Sequence, residues 1–209
     1  MTALHHHIPM IAIVSVERVF GGAERSLLAL ATGLSGSGIV NCELVCPACC
    51  EWDDELCLHG VTARTFFLWR DRSCGRILYR IAFLCRSLWL VLAIFRLARE
   101  LRPNVLHANG LGAALVCILA GSALRIPCIW HMRDFPRHPM LVKLACEYCA
   151  AIICPTAFIL QSVSEFSGPN SPKLHLVCNP VVPLTGIAPT SMPISPAGGT
   201  VKFLMIAQI

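Results

Sequence analysis

Residues 10–34 constrain the fold more than any other stretch of this chain. Five apolar residues stand in a row, Met10-Ile11-Ala12-Ile13-Val14. A short loop over 15–20 follows, then Gly21-Gly22, then Leu27, Leu28, Leu30, Ala31 and Leu34. A continuous apolar run suits a parallel strand buried on both faces, and apolar residues recurring near every 3.6 positions suit a crossover helix. The loop between them falls at the carboxyl end of the strand, where open α/β sheets hold their ligands. Glycine lets backbone approach a ligand closely, and a helix start offers free N–H groups to an anion. Gly-Gly alone fits a ligand-contacting loop and a tight turn equally well.

The same alternation repeats along the chain. Further strands are expected over 40–46, 62–68, 105–110, 126–130, 151–154 and 173–178. Helices are expected over 51–58, 74–101, 112–120 (closed by Gly121), 140–149 and 157–166, the last started by Pro155. Strand–helix–strand repetition with short loops predicts a doubly wound, mostly parallel α/β sheet. Composition changes after residue 180. The stretch 181–200 is rich in proline, glycine, serine and threonine and reads as a linker, and 201–207 reads as a fresh buried strand. The expected organisation is a flexible tail over 1–9, a domain over 10–183, a linker over 184–200, and over 201–209 the first strand of a second domain, before which the chain is truncated.

Apolar residues make up 56% of the 209 and charged ones 14%, too apolar for a disordered chain. The net charge of +5 suits an anionic partner: a nucleotide-sugar, a phospholipid surface or nucleic acid. No basic stripe with interleaved aromatics is present, so nucleic acid is set aside. The helix expected over 74–101 is apolar on every face from Ser87 to Phe95, interrupted by Arg86 and ended by Arg96 and Arg99. A span needs about twenty apolar residues. The segment is therefore open to three readings: a core helix, a helix resting on an anionic membrane surface with its arginines reaching for phosphates, or a true span.

The thirteen cysteines fall mostly inside apolar runs, among them Cys42, Cys46, Cys117, Cys128, Cys154 and Cys178. Reduced cysteine packs as a small hydrophobe, and with no secretory signal pattern a cytosolic chain is expected. The pairs Cys46/Cys49 and Cys146/Cys149 have zinc-ligand spacing but no accompanying knuckle, so no metal is expected. His5, His6 and His7 read as a surface tract.

Polar residues gather at the expected strand ends. Glu17 and Arg18 follow the first strand, His107 and Asn109 close the fourth, and His131, Arg133 and Asp134 close the fifth. All fall on one carboxyl edge. A histidine there can carry a proton or donate to a sugar hydroxyl, and an arginine can hold a phosphate or carboxylate. The plainer alternative is loop packing, with Asp134 pairing Arg133 or Arg137 and His107 capping a helix. The first loop lacks the Gly-x-Gly-x-x-Gly of dinucleotide enzymes, and no Gly-x-Ser-x-Gly elbow of α/β-hydrolases occurs.

Taken in order, four signs resemble the N-terminal half of a GT-B glycosyltransferase of the retaining family 4. They are Gly21-Gly22-Ala23-Glu24-Arg25, Leu106-His107-Ala108-Asn109, Trp130-His131-Met132-Arg133-Asp134, and Asn179-Pro180 before the linker. The resemblance implies a Rossmann-like acceptor-side domain and a donor-binding second domain, with the active site between them. It implies that Gly21 and Gly22 approach the donor diphosphate or the acceptor. His131 would touch the transferred sugar and act in catalysis with Asp134, while Glu24, His107, Asn109 and Arg133 would bind substrate. It implies a nucleotide-sugar donor, held mostly by the second domain, a glycan or lipid-linked acceptor, and no cofactor or metal. The implied location is cytoplasmic, peripheral to a membrane, and the half alone should not catalyse transfer. The rival reading is a non-catalytic ligand-binding or membrane-associated α/β module.

Overall fold

A computed structural model of the chain describes residues 8–48, 50–59, 61–68, 76–133, 135, 137–168 and 170–179. Residues 1–7 of the expected tail, the linker over 184–200, the strand over 201–209 and Asp134 lie outside the described residues. Seven strands form one sheet: β1 (Met10–Val14), β2 (Asn41–Pro47), β3 (Ala63–Phe66), β4 (Val105–Asn109), β5 (Cys128–His131), β6 (Ala151–Cys154) and β7 (Leu174–Leu176). Their order is β3-β2-β1-β4-β5-β6-β7, and every neighbouring pair is parallel. The helices are α1 (Gly22–Gly36), α2 (Cys50–His59), α3 (Arg76–Leu101), α4 (Leu111–Leu124), α5 (Pro139–Tyr148) and α6 (Ala157–Ser167). This is the doubly wound α/β fold the alternation predicts.

The order of strands reverses between β1 and β4, so the loops that leave their carboxyl ends diverge and open a crevice. Helices on the two sides bury two cores. Ile13, Leu44, Cys46, Leu27, Leu28 and Trp52 fill the core against α1 and α2. Val14, Leu106, Ala108, Trp130, Ile152 and Val163 belong to the core against α3, α4, α5 and α6. Side chains alternate faces along a strand. The register puts Ile13 beside His107 and Asn109 beside His131. His107, Asn109 and His131 therefore share the α1 face, and Trp130 the opposite one. The two cores place Cys46 and Cys146 on opposite sides of the sheet, and Cys49 lies outside the described residues. Burial pushes the Cys42 and Cys146 thiols up to about 11, and Cys128, Cys149 and Cys154 are raised as well.

Gly121 does not close α4. It lies inside the helix, which runs three residues further and ends with Arg125 in the left-handed conformation at φ 58°. A Cβ at Gly121 would stand 2.6 Å from the backbone oxygen of Ile126, so the position is glycine because the chain passes close by. Gly121→Ala is expected to cost about 1–3 kcal/mol, the usual range for overpacking. Gly33→Ala, in α1 with open space around it, is the control and should be neutral or slightly stabilising. Equal unfolding midpoints for the two variants would refute the close-packing account.

The long helix α3 packs on α4 through a single stripe. Of its stretch Ile81–Leu101, only Leu90, Ile94 and Ala98 are buried. That stretch is long and apolar enough to cross a membrane. Ile81, Phe83, Leu84, Leu88 and Leu92 are exposed, so core burial explains one face of this helix and leaves the rest of its apolar surface unaccounted for.

Candidate functional site

The crevice between β1 and β4 is closed by one polar junction. Gly21 caps α1, and Glu24, three residues into the helix, reaches back so that its Oε2 accepts the Gly21 N–H at 3.1 Å. Its other oxygen, Oε1, accepts from Asn109 Nδ2 at 3.4 Å across the crevice. Glu24 is buried among these donors. Neither Gly21 nor Gly22 has a positive φ, and a Cβ at Gly22 would meet nothing within 4 Å. Gly22 thus leaves open room at the start of α1, a Cβ at Gly21 would meet Glu24 Oε2 at 3.4 Å, and neither glycine serves a strained turn.

Arg133 joins the remaining segments. Its Nε donates to Asn109 Oδ1 at 2.5 Å, and Nη1 donates to Ser26 Oγ at 3.3 Å and Asn179 Oδ1 at 2.6 Å. Four chain segments meet on one guanidinium: the first turns of α1, the end of β4, the loop after β5, and the loop after β7. Burial lowers the guanidinium pKa to about 10 while the nearby Glu24 carboxylate holds it up, so it stays charged at neutral pH. A planar fork of donors is what permits several fixed acceptors at once.

His107 and His131 pair edge to face beside this junction, with His107 Nε2 3.2 Å from His131 Nδ1. Both are buried. Burial and then the Arg133 charge hold His107 down to about 4. Burial, Arg133 and His107 in that order hold His131 down to about 3, against the nearby Asn179 side chain, which favours the protonated ring. Both rings are neutral at neutral pH. His131 belongs to β5 rather than to the loop after it, because its carbonyl accepts the Gly110 N–H at 2.9 Å. The two imidazoles line a cavity of about 510 Å³ with Ala29, Leu30 and Leu34 of α1. Among the described residues His131 Nε2 has no partner.

The sequence-predicted residues Glu24, His107, Asn109, His131 and Arg133 therefore lie together. Arg18 does not join them: its Nη1 donates to the Leu68 carbonyl, tying the first loop to the segment after β3. Sequence reasoning missed Ser26 and Asn179 as partners of Arg133. It also missed Gly110, whose φ of 87° and ψ of 171° suit glycine alone. Asn179 and Gly110 were marked only by their places after β7 and β4 and Ser26 by nothing, and chain topology is what brings Ser26 and Asn179 to the arginine.

A parallel sheet with its polar junction at the switch point defines the chain as a GT-B-like N-terminal domain. The family model of Glycosyltransferase Family 4 matches residues 20–183, and the chain belongs to that family. Among curated proteins no significant match is found. Solved structures share the fold at low identity. The HepE protein of Anabaena, solved with UDP and glucose, is 17% identical with a TM-score of 0.62, the match covering 82% of this chain and 44% of that one. The lipopolysaccharide outer core galactosyltransferase WaaB, in its apo form, is 18% identical at 0.61, covering 82% and 46%. The UDP-N-acetylglucosamine 2-epimerase of Rickettsia bellii is 13% identical at 0.57, covering 83% and 45%. The chain spans less than half the length of these relatives, and they show its fold alone.

Proposed function

We propose that this chain is the acceptor-side half of a glycosyltransferase that moves a sugar from a nucleotide-sugar to a glycan or lipid-linked acceptor with retention at the anomeric carbon. The observation that carries the reading is the Arg133 junction, which fixes four segments of a family 4 domain around the crevice at the switch point. In this reading residues 184–200 link to a donor-binding domain opened by 201–209. Gly21 and Gly22 admit the donor diphosphate or the acceptor. Asn109 and Arg133 bind substrate from the crevice wall, with Glu24 and His107 behind them, and Asp134 shapes the acceptor side. In the tautomer where His107 donates to His131 Nδ1, His131 Nε2 carries a hydrogen that a sugar hydroxyl can accept. Exposed apolar residues of α3 and a net positive charge support a peripheral position on the cytoplasmic face of a membrane.

The test joins the chain to a donor-binding domain and measures sugar transfer from a panel of nucleotide-sugars, reading the anomeric configuration of the product. Retained configuration is expected, and an inverted product would refute retention. Gly22→Ala separates a ligand loop from a mere helix start. The methyl meets nothing in the fold, so stability should rise by about 0.4–1 kcal/mol. It also stands where a ligand would approach the backbone, so kcat/KM should fall at least roughly tenfold, the smaller end of what a displaced substrate loses. Unchanged kcat/KM in a stable variant would remove the glycine pair from the site.

A further inference from the structure

The acceptors that Arg133 holds differ in how firmly the fold holds them. Asn109 ends β4 and Ser26 stands in the first turns of α1, and both are buried. Asn179 is exposed and follows β7, the three-residue strand at the edge of the sheet. Among the described residues Val177 is the last whose N–H reaches the sheet, donating to the Cys154 carbonyl at 3.0 Å. Leu176 and Val177 are about half exposed, so little apolar burial secures this end of the chain. The 2.6 Å bond from Arg133 Nη1 to Asn179 Oδ1 is what ties it to the crevice. Beyond Asn179 the sequence runs into the stretch that reads as a linker.

That bond is also one an anion replaces with profit to the arginine. The Asn179 oxygen is a neutral acceptor, and a guanidinium bonds phosphate or carboxylate oxygens about twice as strongly. The fork has more donors than these acceptors fill, and among the described residues Nη2 has no partner. Asn109 and Ser26 stay with β4 and α1, whereas Asn179 swings away at the cost of one bond on the exposed side. The same Asn179 side chain stands beside the His131 ring and favours its protonated form. Val177 and Cys178, just before it, line the cavity of about 510 Å³ with His107 and His131. The end of β7 is therefore set against the guanidinium, the imidazole and the cavity wall at once.

We propose that Asn179 is a latch: its side-chain oxygen keeps the place of an anionic oxygen on Arg133 Nη1, and a phosphate or carboxylate that binds there displaces it and frees residues 178 and 179. Filling of the crevice is thereby passed to the chain that leads into the linker. Treating that anion as part of the sugar donor or acceptor rests on the glycosyltransferase reading; the latch does not.

The test is nuclear magnetic resonance of the ¹⁵N-labelled 209-residue chain. Inorganic pyrophosphate and malonate are titrated separately, with sodium chloride at matched ionic strength as the control for screening. The side-chain amide signal of Asn179 is assigned by its loss in Asn179→Ala. It should shift saturably together with the Arg133 Nε–H signal. The heteronuclear Overhauser effect of the Cys178 and Asn179 backbone amides should fall as the anion saturates, while that of Val177, held on the sheet, stays unchanged. Two variants at this exposed position give the latch its distinctive sign. Asn179→Ala removes the competitor and should bind pyrophosphate roughly three- to tenfold more tightly, the span of one hydrogen bond. Asn179→Asp puts a carboxylate on the guanidinium and should weaken binding at least roughly tenfold. A residue that only shapes the site gives the opposite sign in Asn179→Ala. Pyrophosphate alone, malonate alone, or both producing these changes supports the latch and names the anion it answers to. Binding that is unchanged or weaker in Asn179→Ala, bound anion with residues 178 and 179 as ordered as before, no saturable binding, or an equal effect of sodium chloride each overturns it. No sugar donor enters this assay, so its failure leaves the transfer reading standing. A working latch in a chain that never transfers sugar, once joined to a donor-binding domain, would overturn only the anion's role as substrate.

Discussion

Arg133→Met is expected to destabilise the domain by about 1–3 kcal/mol, the range for leaving buried polar groups without their charged donor. Methionine keeps the stem and removes the donors. Asn109 Oδ1 and Ser26 Oγ lose the hydrogen that each accepts, and Asn179 Oδ1 loses its anchor to the loop after β5. Glu24 stays buried without the cation that its field favours. Arg133→Lys should recover only part of the loss. An ammonium is a point charge and cannot satisfy Asn109 on one side and Asn179 on the other as a planar fork does.

The discriminating measurement is a double-mutant cycle with Glu24→Gln. If Glu24 and Arg133 form one electrostatic unit, the double variant should be more stable than the two single losses summed, with a coupling of about 1–3 kcal/mol. Additive losses would mean that Arg133 acts through Asn109 and Asn179 alone. In the chain joined to a donor-binding domain, transfer should fall at least roughly 10²-fold in Arg133→Met, the scale of one well-placed polar contact. Transfer that recovers fully at a temperature where Arg133→Met is folded would assign Arg133 to structure and remove it from substrate binding.

The parts of the fold that were legible in the sequence are those where one physical demand acts alone. β1 and β6 are uninterrupted apolar runs, and their ends fall where the apolar residues end. The helix α1 announces itself by period. Where two demands compete, the reading slipped. Gly121 looked like a helix terminus, yet it is glycine because Ile126 passes 2.6 Å from where its Cβ would be. The strand expected over 126–130 begins and ends later, because the pairing of His131 with Asn109 holds a polar residue inside β5. For α3, the apolar residues on every face hid the fact that a single stripe does the packing. At the candidate site the donors and acceptors could be named individually, since strand ends collect polar residues. Their partnership could not. Ser26 and Arg133 are 107 positions apart, and only the strand order places them together.

The histidine pair yields the second large effect, and its sign follows from the neutral state of both rings. An unfolded histidine titrates near 6.5, while the folded values are about 4 for His107 and about 3 for His131. Below pH 6.5 the unfolded chain takes up protons that the folded one refuses. Stability from these groups is therefore complete above pH 6.5 and is lost as pH falls toward 4. Each ring contributes a slope of about 1.4 kcal/mol per pH unit, so going from pH 7.5 to 5 should cost roughly 2 kcal/mol per ring. Urea midpoints at the two pH values measure this. His107→Gln and His131→Gln should each remove about half of the pH-dependent loss, whatever they do to stability at pH 7.5. A variant with the full wild-type loss would mean that its ring protonates in the folded state. The same neutrality governs the proposed chemistry. In the chain joined to a donor-binding domain, His131→Ala should lower turnover by roughly 10²-fold through the missing contact to the sugar. The wild-type rate should show no inflection near pH 6.5 while the protein remains folded, because the ring is already neutral well below that value. An inflection there that His131→Gln abolishes would show the ring exchanging protons with solvent, and its surroundings would have to change during turnover.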